Sequence, residues 1–161
     1  MNFRIEPLTS AHLDRCVEVF VAAFTKPDRF SWKPEDVRIR LEDLWNEPKR
    51  VGLVATDEPE STVTGFAIGN FVQVADGPAL RIGELCVHPS RQHYGLGSRL
   101  LLGMEDIARE GGAHSAYLTV HPDSVDFCRR LGYERQDEWI AMGRRLREAE
   151  PAAMDEPPAG K

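Results

Sequence analysis

Residues 81–108, RIGELCVHPSRQHYGLGSRLLLGMEDIA, leave the chain few ways to fold. The segment reads as a strand over 81–88, a polar turn at Pro89, the glycines Gly95 and Gly97, and then a helix. Leu100, Leu101, Met104, Ile107 and Ala108 recur at helical spacing, so the helix has one buried face. A glycine-bearing loop that opens a helix presents backbone N–H groups at the positive end of the helix dipole, which suits an anion. Glycines there admit a close approach of phosphate to the backbone, and Arg91 and Arg99 bring charge to the same turn. The spacing is not a Walker loop, because G-x-x-x-x-G-K-[ST] is absent. It is not a dinucleotide fingerprint either, because Leu100 stands where G-x-G-x-x-G needs its third glycine.

The flanking chain supplies the layers around this segment. Phe3 and Ile5 alternate with polar residues in a first strand over 2–8. Thr9 or Ser10 caps a helix whose apolar set is Leu13, Cys16, Val17, Phe20, Val21 and Phe24. Residues 25–33 are an irregular connection, and Pro34 opens a second helix that turns Val37, Leu41, Leu44 and Trp45 inward. Strands follow at 50–56 and 62–74, the second carrying Gly65 and Gly69 as points of bending or close approach. Residues 75–79 turn the chain into the central strand. After the glycine-loop helix come a strand at 113–121, a short helix from Pro122, and strands beginning at Tyr133 and spanning 139–146. The order β-α-α-β-β-β-α-β-α-β-β gives a mixed α/β (α+β) domain, with hairpins first and a helix crossover to a parallel neighbour. A single domain over 1–146 and a flexible acidic Pro/Ala-rich tail over 147–161 suit a chain of 161 residues.

Composition excludes several functions. The net charge of −6 argues against broad nucleic-acid binding and favours a cationic substrate such as an amine. No run of eighteen apolar residues and no signal-peptide core is present, so a soluble, cytoplasmic protein away from membranes is expected. Cys16, Cys86 and Cys128 are widely spaced and odd in number, and the histidines, His88, His93 and His121 included, lack ligand spacing. Neither a disulfide framework nor a metal site is expected.

Within the central strand Glu84 stands among Ile82, Leu85 and Val87. Alternation puts Glu84, Cys86 and His88 on one face and Leu85 and Val87 on the other. A carboxylate there must be solvated, paired or used. One role is a partnership with a basic residue over the same sheet face; another is proton transfer.

The motif Gln92-x-x-Gly95-x-Gly97, with ELCVHPSRQHYGLGSRLL around it and HPDSVDFCRRLGYE later, resembles the signatures of the GNAT superfamily of N-acetyltransferases over residues 2–146. Phe30-Ser31-Trp32, ELCVHP and Ile140-Ala141-Met142 are similar, more narrowly, to small bacterial aminoglycoside 6′-acetyltransferases. The resemblance implies the GNAT fold, acetyl-CoA as cosubstrate without a metal, and direct acetyl transfer to a primary amine. That amine would belong to a small molecule, a sugar of aminoglycoside type, or a protein. It implies Glu84 as general base, the main chain of Leu85, Cys86 and Val87 against the pantetheine arm, and Gln92, His93, Tyr94, Gly95, Leu96, Gly97 and Ser98 around the pyrophosphate. His121 replaces the family's asparagine, and Cys128 stands in place of its tyrosine acid, as a thiol proton donor or as a small core residue beside Phe127. Asp28, Phe30, Trp32 and Trp139 are the implied acceptor contacts. Superfamily members are often dimers, so a homodimer is one assembly this implies. The alternative to an enzyme is a CoA- or acyl-CoA-binding sensor that has lost turnover; transfer of a longer acyl group is a third reading.

Overall fold

The structure, a computed structural model, describes residues 2–25, 31–58, 61–137 and 142–144. Five strands form one sheet: β1 (Phe3–Pro7), β2 (Arg50–Asp57), β3 (Thr62–Val74), β4 (Gly77–Val87) and β5 (Ser115–Leu118), neighbouring in that order. The first four run antiparallel and β5 lies parallel to β4. The helices are α1 (Leu13–Phe24), α2 (Pro34–Asn46), α3 (Leu96–Glu110) and α4 (Val125–Arg130). The crossover from β4 to β5 runs through α3, as a parallel neighbour requires.

Two apolar layers sandwich the sheet. On one face Cys16, Val17, Val19 and Phe20 of α1 and Val37 and Leu41 of α2 meet Val54, Phe66, Ile68 and Cys86. On the other, Leu96, Leu100, Leu101, Met104 and Ala108 of α3 cover Leu53, Ala67, Leu80 and Ile82, with Phe127, Leu131 and Tyr133 packed beside them. Thr9 caps a 3₁₀ turn, Ser10–His12, which leads into α1. The buried face of α1 takes in Val19, whereas Phe24, expected inward, ends the helix beyond the core and is over a third exposed.

A β-bulge divides β4. Ile68 pairs with Glu84 and Gly69 with Ile82, so Gly83 is the unmatched residue. At this point the strands come very close: a Cβ on Gly69 would overlap the Arg81 carbonyl oxygen, and one on Gly83 would sit 2.6 Å from Leu44 of α2. Pairing between β4 and β5 covers only Ala79↔Ser115 to Ile82↔Leu118 and stops where the bulge begins. A bulge bends and twists its strand. Past it β4 runs on to Val87 with no strand beside it on that side among the described residues, and the sheet opens into a cleft.

The sequence expectations needed three corrections. The central strand begins at Gly77 and ends at Val87, with His88 capping the 3₁₀ turn Pro89–Arg91. The strand expected over 113–121 is only Ser115–Leu118. Residues 133–136 form no strand: the Tyr133 N–H turns back to the Cys128 carbonyl and closes α4. Of 139–146 only 142–144 are described, and they carry no strand; the expected tail lies outside the described residues. No helix among those described is long and apolar enough to cross a membrane.

Candidate active site

The bulge decides where Glu84 points. Strict alternation would put Ile82 and Glu84 on one face, but the extra residue separates them. Ile82 joins the α3 layer, Gly83 and Glu84 both face α2, and Leu85 and Val87 return to the α3 side. Cys86 goes into the α1–α2 core, so the expected split of Glu84 and Cys86 from Leu85 and Val87 is what the strand adopts.

The side chain of Glu84 is 10% exposed and pairs with Arg40 of α2, whose Nε and Nη2 both donate to Oε1. Burial pushes the Glu84 carboxyl above its ordinary value, while the Arg40 charge and hydrogen bond pull it back down. Arg40 and Leu44 lie one turn apart on α2, and Glu47 follows at its C-cap beyond Asn46. Glu47 accepts from Arg81 Nη2 at 2.9 Å, and Arg81 Nε donates to Asn70 Oδ1 at 3.0 Å. None of these residues was legible as a site, since charged residues flanking an apolar row read as a solvated helix face.

The glycine loop is fastened on both sides. Gln92 Nε2 donates to the Val87 carbonyl at 3.0 Å and ties the loop to the end of β4. Arg91 Nε donates to Asp57 Oδ2 at 2.6 Å, and Arg99 lies over the Phe3 ring at 5.1 Å. The two arginines expected to serve an anion are thus engaged in holding the loop and covering β1. Gly95 caps α3 with φ +80, and a Cβ there would meet nothing within 4 Å, so the backbone alone selects glycine. A Cβ on Gly97 would sit 3.4 Å from Phe127, so its bare side faces the cleft wall. The first helical bond runs from the Arg99 N–H to the Gly95 carbonyl, leaving the amides of Leu96, Gly97 and Ser98 ahead of the ladder.

These parts surround one cleft of about 1140 Å³. One wall holds Arg40, Glu84, Leu85 and Val87; the opposite wall holds Leu118, His121, Phe127 and Cys128; Gln92, His93, Gly95, Gly97 and Ser98 close one end. The His88 N–H donates to Thr64 across β3 at 2.8 Å. Ladder alternation therefore turns the main chain of Glu84 and Cys86 toward β3, and that of Leu85 and Val87 toward the open cleft. His121 Nδ1 accepts from the Asp123 N–H and caps the turn before α4. A smaller hollow of about 490 Å³ around Trp45, Arg50 and Ile107 has no acid in its wall.

Other expected contacts fall elsewhere. Leu96 is buried, Tyr94 is 65% exposed, and neither lines the cleft. Trp32 packs edge-on against Phe20 at 5.2 Å, in the core rather than the cleft. Asp28, Phe30 and Trp139 lie outside the described residues. Phe24 and Tyr117 are the cleft aromatics that the sequence did not single out. Burial raises all three thiols, Cys16 to about 12. Tyr133 Oη is buried without a hydrogen bond of ordinary geometry, and burial first, with the nearby Glu105 carboxylate second, pushes its phenol up. Among the described residues no three His, Cys, Asp or Glu side chains cluster to hold a metal ion.

The family model described as Acetyltransferase (GNAT) family matches residues 13–133. Among solved structures, a transcriptional regulator from Bacillus halodurans superposes with a TM-score of 0.72 at 20% identity, covering 89% of this chain and all of the other. A Trypanosoma brucei acetyltransferase gives 0.68 at 18% identity, with 89% and 100% covered. An aminoglycoside N-acetyltransferase in complex with CoA gives 0.69 at 15% identity, with 89% and 95% covered.

Proposed function

The chain belongs to the acetyltransferase (GNAT) family, and on that premise we propose that it moves an acetyl group from acetyl-CoA directly to a primary amine, with Glu84 as general base. The cleft fits coenzyme A: main-chain groups of Leu85 and Val87 on the unpaired edge suit the amide-bearing pantetheine arm. The amides ahead of the α3 ladder, beside a residue-free approach at Gly95, suit the pyrophosphate. Acetyl-CoA, when bound, supplies an electrophilic thioester carbonyl and a thiol leaving group.

An amine with a pKa near ~10.4 is neutral only about once in two or three thousand at pH 7, a handicap of roughly 4.6 kcal/mol. Glu84 answers that need by accepting a proton as the nitrogen attacks. Its burial in the wall of the same cleft as the loop amides is the observation that carries the reading. Direct transfer fits the thiols, since the thiolate is the nucleophile and burial disfavours it at Cys16, Cys86 and Cys128. Cys128 lines the facing wall and burial keeps its thiol protonated, which supports it as proton donor to the departing sulfur.

Release of CoA thiol with a panel of primary amines tests this. Glu84→Gln is expected to lower kcat/KM by about 10²–10⁴-fold while calorimetric affinity for acetyl-CoA stays within about twofold of wild type. Cys128→Ala is expected to lower kcat with little effect on KM. Retained activity in Glu84→Gln removes the base. Tight binding without turnover on any amine favours the sensor, and no heat with acetyl-CoA overturns the site.

A further inference from the structure

Glu84 is not a solitary acid in a neutral wall. Beside it the cleft carries a second ion pair: Arg40 with Glu84 and, on the other side of the bulge, Arg81 with Glu47. All four side chains line the cleft, and the arginines remain 47% and 38% exposed, so each has guanidinium surface left for a ligand. The overall acidity of the chain pointed to a cationic acceptor, but the charges grouped at Glu84 are two of each sign, while Asp123, Asp126 and Arg130 line the cleft elsewhere.

A simple ammonium group arriving here meets the Arg40 charge and a carboxylate already neutralised. To reach Glu84 it must displace the guanidinium and leave it unpaired beside a nearly buried acid. An amine that carries its own acidic group exchanges partners instead. Its nitrogen goes to Glu84 and its anion to Arg40, so no charge is stranded and a planar guanidinium receives the fork-shaped group it matches. We propose that the acceptor is an amine bearing a carboxylate within a few bonds of the nitrogen, and that this carboxylate takes Arg40 from Glu84 as the nitrogen enters. The inference rests on the acetyl-transfer reading of the same site. In the transfer the N–C bond forms as the thioester C–S bond breaks. Of the two protons the ammonium nitrogen sheds, one passes to Glu84 and on to water, and the other ends on the departing sulfur as thiol. Arg40 is a positioning and specificity residue: it orients the acceptor and, once engaged by it, frees the base.

Paired probes separate the two readings: amino acids with neutral side chains and their carboxamides, titrated calorimetrically into the CoA complex and assayed for thiol release. The acids are expected to bind, and to show kcat/KM, about tenfold or more above their carboxamides. Arg40→Gln is expected to raise KM for the acids and cut that preference below about twofold, with Arg40→Lys restoring part of it. Equal binding of acid and carboxamide by wild type, or a preference that survives in Arg40→Gln, overturns the carboxylate assignment; acetylated carboxamides would then leave the acetyltransferase reading standing. Acetyl-CoA binding with no thiol release from any probe and no difference in probe binding overturns both.

Discussion

At the proposed site Glu84 is the acid whose titration the fold displaces, and Arg40 is the charge set against that displacement. Burial raises the Glu84 carboxyl, and Arg40 opposes it. Removing Arg40 leaves burial unopposed in the free enzyme, so Arg40→Gln should carry the acid limb of the kcat/KM profile to higher pH than in wild type; an unmoved or lowered limb would show that another group titrates. Stability follows the same sign. A folded pKa above the unfolded one contributes stability that is present below the unfolded value and lost as pH rises through the folded one. Glu84→Gln has no such loss, so its Tm measured against wild type should climb with pH across the carboxylate range. Glu84 was legible because an acid between Ile82 and Leu85 is conspicuous in an apolar strand. Arg40 was not: in PEDVRIRLEDLWN it reads as one charged residue among several, and only the fold shows that α2 lies along the cleft. Trp32 misled for the opposite reason, since an aromatic in an irregular connection looks available until its packing on Phe20 is seen.

At the level of elements, the glycine loop depends on its fastenings. The Asp57 carboxylate is 15% exposed and receives the Arg91 guanidinium from across the sheet end. Asp57→Asn should weaken this part-buried charge-assisted hydrogen bond and lower the Tm measurably. It should also raise KM for acetyl-CoA while kcat at saturation changes little, because Glu84 is held from α2 instead. Gly95→Ala meets no steric obstacle, so its effect is the left-handed backbone alone, about 1–2 kcal/mol, read as a lowered Tm. The bounds of β3, the end of α1 and the start of α2 could be read from the apolar run, helical spacing and Pro34, whereas the cap expected at Thr9 or Ser10 opens a 3₁₀ turn and α1 begins only at Leu13. The bulge could not, since it arises where Gly69 of β3 pairs with Ile82 and leaves Gly83 of β4 unmatched, a register that no local pattern encodes. Residues 133–136 had a strand's opening aromatic but pair with no strand among the described residues, and the Tyr133 N–H closes α4.

For the whole molecule, the decisive feature is a sheet that pairs fully from β1 to β4 and then parts. A coenzyme lying along the vacated edge binds the folded chain alone, so acetyl-CoA at about a hundred times Kd should add about 2.7 kcal/mol of stability. For a chain of this size that is a rise in Tm of roughly 5–10 °C, measured by scanning calorimetry with and without ligand; no rise would place the ligand elsewhere. The order of elements through α4 was readable in advance because helix and strand periods differ along the chain. The splay was not, because it depends on where two strands distant in sequence stop touching.

That parting of β4 from β5 reaches beyond chemistry. Among the described residues, β5 and α4 lean on the sheet through four residue pairs and the α3 layer. With the gap unbridged, β5 and α4 are expected to open before the rest of the described chain, read as early cuts in that stretch under limited proteolysis that bound acetyl-CoA suppresses. Supply of the acetyl donor would then govern the polypeptide's lifetime as well as its rate of work.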